Sequence, residues 1–111
     1  MAEGQPQAGE PLASCERLRD AVDLLGKRWT LLIVALLLQR PARFCELAAA
    51  LPISDRVLSE RLGELIEAGL ASRQVDEGPP ISSRYALTAR GRALTPVIDE
   101  LTAWSAGAPS G

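Results

Sequence analysis

The sequence predicts a mostly α-helical domain that carries one small β-hairpin in its C-terminal half. Three observations predict it. From Ser14 to Gly69 apolar residues recur at three- and four-residue spacing, the repeat of a helix face. From Leu70 to Thr88 the repeat shortens to two, as strands require, on either side of the turn-rich GPPIS. Beyond Ala89 the helical repeat returns, as Leu94, Val97, Ile98, Leu101 and Trp104.

Each element has local reasons. The first residues, 1–13, are rich in Gly, Pro, Gln and Ala without periodicity and read as a loose tail. Ser14 suits the cap of a helix over Cys15 to Leu25, with Glu16 in the favourable first turn, Leu18, Val22 and Leu25 on its apolar side and Gly26 as its end. A second helix, from about Lys27 to Gln39, is apolar nearly all round and stops before Pro41; it reads as the central buried helix. A strand is the rival for so short an apolar run, but its Leu and Ala content favours helix. A short third helix fits Arg43 to Ala50, with Phe44, Leu47 and Leu51 on one side and Pro52 as its stop. Ser54 caps a fourth, Asp55 to Ala68, whose Leu58, Leu62, Leu65 and Ile66 share a face; Gly69 follows as the residue free to take positive φ. The strands LASRQVDE and SSRYALT turn near Gly78 to Ser82 and point Leu70, Val75, Tyr85 and Leu87 towards a core. Thr88 caps the last helix, Ala89 to about Ala106, which Pro96 should kink or interrupt. Residues 107–111 read as a short tail, leaving 14–106 as one folded domain.

Composition narrows the function. A chain of 111 residues with 47% hydrophobic residues is long enough for one domain and a core of Leu, Ile, Val and Ala, since aromatics are only 4%. A net charge of −2 argues against a protein coated in basic charge while allowing a local basic patch. The sequence has no histidine, which removes Ser/His/Asp and Cys/His catalytic pairs and every histidine-ligated metal. Cys15 and Cys45 are too far apart for a CxxC or zinc pattern, so no metal, no cofactor and no enzyme activity are expected. The low cysteine content fits a reducing, cytoplasmic setting. The longest apolar run, Leu31 to Leu38, is far short of the ~20 residues that span a bilayer, and the N-terminus lacks signal-peptide features, so no membrane partner is expected.

A short helix leading through a tight turn into an amphipathic one is the helix-turn-helix arrangement, and a hairpin directly after it forms a wing. That order gives the polar face of the Asp55 helix a use. A helix fits the major groove, where its N-terminal residues face base edges.

The residues that make this specific are Cys15 near the start, GKRWTLLIVALL from Gly26, PARFCEL from Pro41, LPISDRVLSERLGELIEAGL from Leu51 and RYALTARGRALTPVIDEL from Arg84. In this ordered set, over roughly Cys15 to Trp104, the chain resembles the HxlR-type winged helix-turn-helix regulators, relatives of the MarR group. The resemblance implies a bacterial, DNA-binding transcription regulator, a homodimer formed by the first and last helices. It also accommodates Pro96, since members often carry proline there. This chain departs from the pattern at Glu16, where proline commonly follows the cysteine, at Gly63, where a longer polar residue is usual, and at an additional residue around Ile81 to Ser83 in the wing.

The candidate DNA-binding residues are Arg43, Ser54, Asp55, Arg56, Ser59, Arg61, Arg73 and Arg84. Arg56, on the exposed face near the helix start, suits a bidentate grip on guanine O6 and N7; the alternative is an ion pair with Glu60. Ser54 serves as cap and as a close-approach residue, and Ser59 is either a contact or plain surface. Arg61 reaches phosphates or pairs with Glu64 or Glu67. Arg43 contacts phosphate or is a surface charge. Arg73 and Arg84 flank the wing, for the minor groove or for cross-strand pairing with Asp76 or Glu77. Glu60 and Glu64 would repel phosphates, so only about the first turn of this helix should enter the groove. Arg90 and Arg92 are weaker phosphate candidates.

The dimer candidates are Leu18, Val22, Leu94, Ile98, Leu101 and Trp104, an apolar stripe shared between the terminal helices. A two-fold axis there sets two recognition helices about 34–36 Å apart on a palindromic operator in double-stranded DNA. Some members of the family use a cysteine at the position of Cys15 as a redox switch, and Cys45 is its candidate partner; the alternative is two inert thiols. Repression is the expected sign. Control by redox chemistry or by a small-molecule effector stays open, and the rival to the whole reading is a winged-helix protein-interaction module without specific DNA binding.

Overall fold

The computed structural model describes residues 10–107 of the chain. Six helices and two strands follow one another as α1 (Glu10–Leu25), α2 (Thr30–Gln39), α3 (Phe44–Ala50), α4 (Asp55–Glu67), β1 (Ala71–Asp76), β2 (Ser82–Leu87), α5 (Ala89–Arg92) and α6 (Thr95–Ser105). The tails expected at either end fall largely on residues 1–9 and 108–111, outside the described ones.

The core lies where α2, α3, α4 and the base of the hairpin meet. Ile33 and Val34 of α2 and Leu58 and Leu65 of α4 are fully buried, joined by Leu37, Leu47, Leu62, Leu70, Ala71 and Leu87. Burying each such large aliphatic side chain stabilises the fold by about 1.5–3 kcal/mol. α2 is thus the central helix its all-round apolar sequence predicts. It starts later than expected, because Lys27 and Arg28 form a turn and Trp29 takes a left-handed φ of 82°. The Trp29 ring packs on the core and beneath the Arg28 guanidinium, 4.8 Å from its centroid. α1, by contrast, starts earlier than expected: it is already helical at Glu10, so Ser14 lies inside it rather than at its cap. Side chains from Cys15 to Asp23 are exposed, and among the described side chains of this helix Leu24 and Leu25 pack on the core.

α4 is bounded as its sequence requires. The Ser54 hydroxyl accepts from the Val57 N–H at 3.2 Å, and Gly69, at φ 79°, closes the C-terminus. The Leu70 N–H donates to the Leu65 carbonyl and the Gly69 N–H to the Ile66 carbonyl, the paired bonds of a Schellman end. The hairpin is antiparallel, with Ala71 opposite Leu87, Arg73 opposite Tyr85 and Asp76 opposite Ser82. Leu70 and Leu87 enter the core and Tyr85 packs against it, but Val75 is 57% exposed, because the hairpin outruns the core beneath it. A short bridge from the segment before α3 pins the wing: Ala42 and Tyr85 exchange backbone hydrogen bonds of 3.0 and 2.7 Å. The expected last helix is two. α5 ends at Arg92, and α6 begins with Pro96 in its first turn, where a missing N–H costs nothing.

Candidate nucleic-acid interface

The short helix α3, the tight turn Leu51 to Ser54 and α4 place the leading end of α4 at the surface. Ser54, Asp55, Arg56, Ser59 and Glu60 are all exposed, while Leu58, Leu62 and Leu65 on the opposite face are sealed in the core. α3 packs against both α4 and β2, so the helix pair and the wing form one continuous side of the molecule.

The Arg56 side chain is 80% exposed and lies along its own helix, its Nη1 3.0 Å from Glu60 Oε2. An exposed pair at this spacing contributes only about 0.3–0.5 kcal/mol, so the guanidinium is readily released to another acceptor. Asp55 stands in the first turn, where a carboxylate complements the helix dipole. Arg61 is placed differently. It is only 18% exposed; its Nε donates to the Arg28 carbonyl at 3.2 Å, and its Nη1 lies 3.4 Å from Glu64. Lys27 Nζ donates to the same carboxylate at 2.9 Å. This hydrogen bond, helped by the nearby charges of Lys27 and Arg61, holds the Glu64 carboxyl below the usual carboxylate range against the opposing effect of burial. Arg61 therefore braces α4 on the α1–α2 turn, the pairing alternative weighed from sequence.

Beside α4, Arg43 caps α3. Its backbone N–H donates to Glu46 Oε1 at 2.8 Å. That bond, with the fields of Arg40, Arg43 and Arg84, holds the Glu46 carboxyl low despite some desolvation. Arg84 on β2 reaches Asp76 on β1 at 3.2 Å, and Arg43 Nη2 is 3.8 Å from the same carboxylate. Arg73 is exposed on β1. Arg43, Arg84, Arg40 and their acids thus meet at the junction of helix pair and wing. Sequence reading missed Arg40 and the linking part of Asp76. The spacing Arg43-x-x-Glu46 was the signal available for the cap, since an acid three residues after a helix start reaches back to it. Arg90 and Arg92 are exposed on α5.

Among the dimer candidates, Leu18, Val22, Leu101 and Trp104 are exposed, Trp104 by 77%. Leu94 and Ile98 are half-buried against the chain's own core and form the inner edge of that stripe. Leu32 and Val97 extend it. Cys15 on α1 and Cys45 on α3 are both exposed free thiols. Because α1 begins at Glu10, Cys15 lies beyond the first turn, where the helix dipole would assist a thiolate. Among the described residues, no helix is long and apolar enough to cross a membrane.

A core-anchored helix pair with an open leading end, flanked by a pinned hairpin bearing arginines, defines a winged helix-turn-helix protein. The chain belongs to the HxlR-like helix-turn-helix family, whose profile matches residues 24–109. It is 48% identical over 92 residues to the uncharacterized HTH-type transcriptional regulator YvaP of Bacillus subtilis, covering 82% of this chain and 85% of that one. It is 41% identical over 92 residues to the HTH-type transcriptional regulator YodB of the same organism, covering 82% of each. The reduced form of YodB has the same fold, with a TM-score of 0.74 over 80% of this chain and 88% of that one at 41% identity. YodB has also been solved diamide-treated and quinone-bound, with TM-scores of 0.71 and 0.73 at 38% and 39% identity, over 86% and 84% of this chain and 95% and 99% of those. The redox regulator HypR in its reduced form matches with a TM-score of 0.77 at 27% identity, over 82% of this chain and 91% of that one. The chain is a MarR-like, HTH-type transcriptional regulator.

Proposed function

We propose that the chain is a homodimeric repressor that reads a palindromic operator in double-stranded DNA. The observation that carries this is the open first turn and a half of α4, Ser54 to Glu60, on a helix whose other face is locked in the core. Arg56 is the base-reading residue, Arg43, Arg73 and Arg84 contact the backbone or minor groove, and Ser54, Asp55 and Ser59 allow close approach. Dimerisation buries the exposed stripe of Leu18, Val22, Leu101 and Trp104 across a two-fold axis, which accounts for so much bare apolar surface on the terminal helices. The net charge of −2 is no obstacle, because the arginines gather at the helix–wing side. The test is selection from a random-sequence duplex library, followed by binding titration and sedimentation. The expected result is an enriched inverted repeat with half-sites one helical turn apart, bound two chains per duplex, with affinity falling steeply as salt rises. A chain that enriches no sequence, or binds as a single copy, overturns the proposal.

A second layer rests on Cys15, exposed on α1, and on the similar YodB, solved diamide-treated and quinone-bound as well as reduced. We propose that oxidation of Cys15 shifts the affinity for DNA. With diamide as oxidant, Cys15 joins a second thiol, of Cys45 or of the other copy, and two electrons and two protons pass to the diamide. Binding of the selected duplex before and after diamide should differ by about 5- to 150-fold in wild type, the range of a ~1–3 kcal/mol coupling, and should not differ in Cys15→Ser. An unchanged wild-type affinity after verified thiol oxidation excludes the switch.

A further inference from the structure

At the seam between wing and helix pair, one carboxylate stands between two arginines from different elements. Asp76 Oδ1 accepts from Arg84 Nη2 at 3.2 Å, across the hairpin, and Asp76 Oδ2 is 3.8 Å from Arg43 Nη2 at the cap of α3. In the strand register Asp76 faces Ser82 while Gln74 faces Arg84, so the carboxylate reaches diagonally. The same seam holds the Ala42–Tyr85 backbone bridge, which fixes the segment before α3 to β2.

We infer that Asp76 is a positioning residue for the DNA backbone. It holds Arg43 of the helix pair and Arg84 of the wing in one orientation, so that a duplex meets both guanidiniums together. The inference rests on the DNA-binding reading above. Three observations favour it over an acid that merely lies near the surface. The Asp76 side chain is 35% exposed, against 49% for Arg43 and 44% for Arg84, so the carboxylate is more covered than the cations it holds. A guanidinium carries five N–H donors, and one contact to Asp76 leaves the others free for phosphate. The wing segment from Glu77 to Ser83 contains no Lys or Arg, so Arg84 is the first cation after the tip and its orientation matters the more. Arginine is flexible, and a partner that fixes its rotamer beforehand removes an ordering cost that DNA would otherwise have to offset.

Charge alone and positioning predict opposite signs. An acid beside DNA repels phosphate, so if Asp76 were a bystander its neutralisation would tighten binding. If it positions the two arginines, neutralisation weakens binding although the surface becomes less negative. The experiment measures full-length Asp76→Asn against the duplex that wild type enriches from a random library, by fluorescence anisotropy. The expected result is affinity lower by about twofold to fivefold, the scale of losing one organised exposed charge pair. Glu77→Gln, which removes the same charge one residue along the wing, should bind as wild type or tighter. In an Arg43→Ala/Arg84→Ala background the weakening by Asp76→Asn should vanish, since nothing remains to be positioned. That cycle separates the idea from a general loss of folding, which would weaken binding in either background. Binding by Asp76→Asn equal to or tighter than wild type overturns the inference and leaves the DNA reading standing. A wild type that enriches no duplex overturns both.

Discussion

Arg56→Ala is expected to lower affinity for the selected duplex by roughly tenfold to a hundredfold per half-site, the value of one bidentate base contact. In a dimer reading two half-sites the losses compound. The fold should be unaffected. Arg56 lies on the fully open side of α4, and all it gives up within the chain is its pair with Glu60, an exposed contact worth about 0.3–0.5 kcal/mol. Thermal melting unchanged within a degree or two, beside a collapsed titration, separates recognition from stability. The comparison of Arg56→Lys with Arg56→Ala then tells which part of the duplex is read. A lysine keeps the charge but not the planar fork, so a base contact is lost with it while a phosphate contact largely survives. If Arg56 touches phosphate instead, the alanine variant loses affinity evenly across sequences and the salt slope falls by about one. An alanine variant that binds as tightly as wild type removes Arg56 from the interface.

The elements that read correctly from sequence are those whose boundaries are set by neighbours in the chain. α4 is the plainest: a serine cap, leucines at three- and four-residue spacing and a glycine after the last turn are all local, and all act as expected. The hairpin follows the same rule, since alternation and a proline-rich tip need no tertiary information. Misread boundaries have non-local or competing causes. The late start of α2 depends on a left-handed Trp29 held by the core and by Arg28, which no propensity for tryptophan announces. α1 begins inside a stretch whose Gly and Pro content suggested a tail. Pro11, a residue well suited to the first turn of a helix, is the local signal for that start. Pro96 marks a helix start rather than a kink, because the chain breaks at Ala93 and Leu94 and begins a new helix.

For the candidate site the division is similar. Helical periodicity alone places Arg56, Ser59 and Glu60 on the open face of α4. Arg61, one position further round, sits at the margin between open and packed faces, and only the approach of the α1–α2 turn decides its partners. Asp76 and Arg43 are distant in sequence and meet only because the Ala42–Tyr85 bridge lays the wing beside α3. Leu18, Val22 and Trp104 read from sequence as parts of apolar helix stripes, with a dimer role only through the family resemblance, and they are bare in the single chain.

Gly91→Ala should be the most damaging glycine-to-alanine change among the described residues, costing about 2–4 kcal/mol through overpacking and a disturbed hydrogen bond. A Cβ built at Gly91 lies 2.1 Å from the Leu70 carbonyl oxygen and 3.1 Å from both the Leu70 carbonyl carbon and Leu87 Cδ2. The oxygen has nowhere to go, since it already accepts from the Thr88 N–H at 3.0 Å. Thr88 is tied in turn: its hydroxyl donates to the Gly69 carbonyl at 2.7 Å and accepts from the Gly91 N–H at 3.1 Å. The end of α4, the start of β1 and the first turn of α5 therefore close into one knot with a glycine at its centre. Moving α5 away to admit the methyl would loosen the base of the wing. In a domain of this size the melting temperature should drop by of order 10–20 °C. Gly63→Ala is the control, because a Cβ there meets nothing within 4 Å and the same substitution should stabilise the α4 helix by up to ~1 kcal/mol. Opposite signs for one chemical change, read by thermal melting, would show that contact with the Leu70 backbone and not helix propensity fixes glycine at position 91. Equal and favourable shifts at both positions would mean that α5 does not pack on the Leu70 backbone as closely as described.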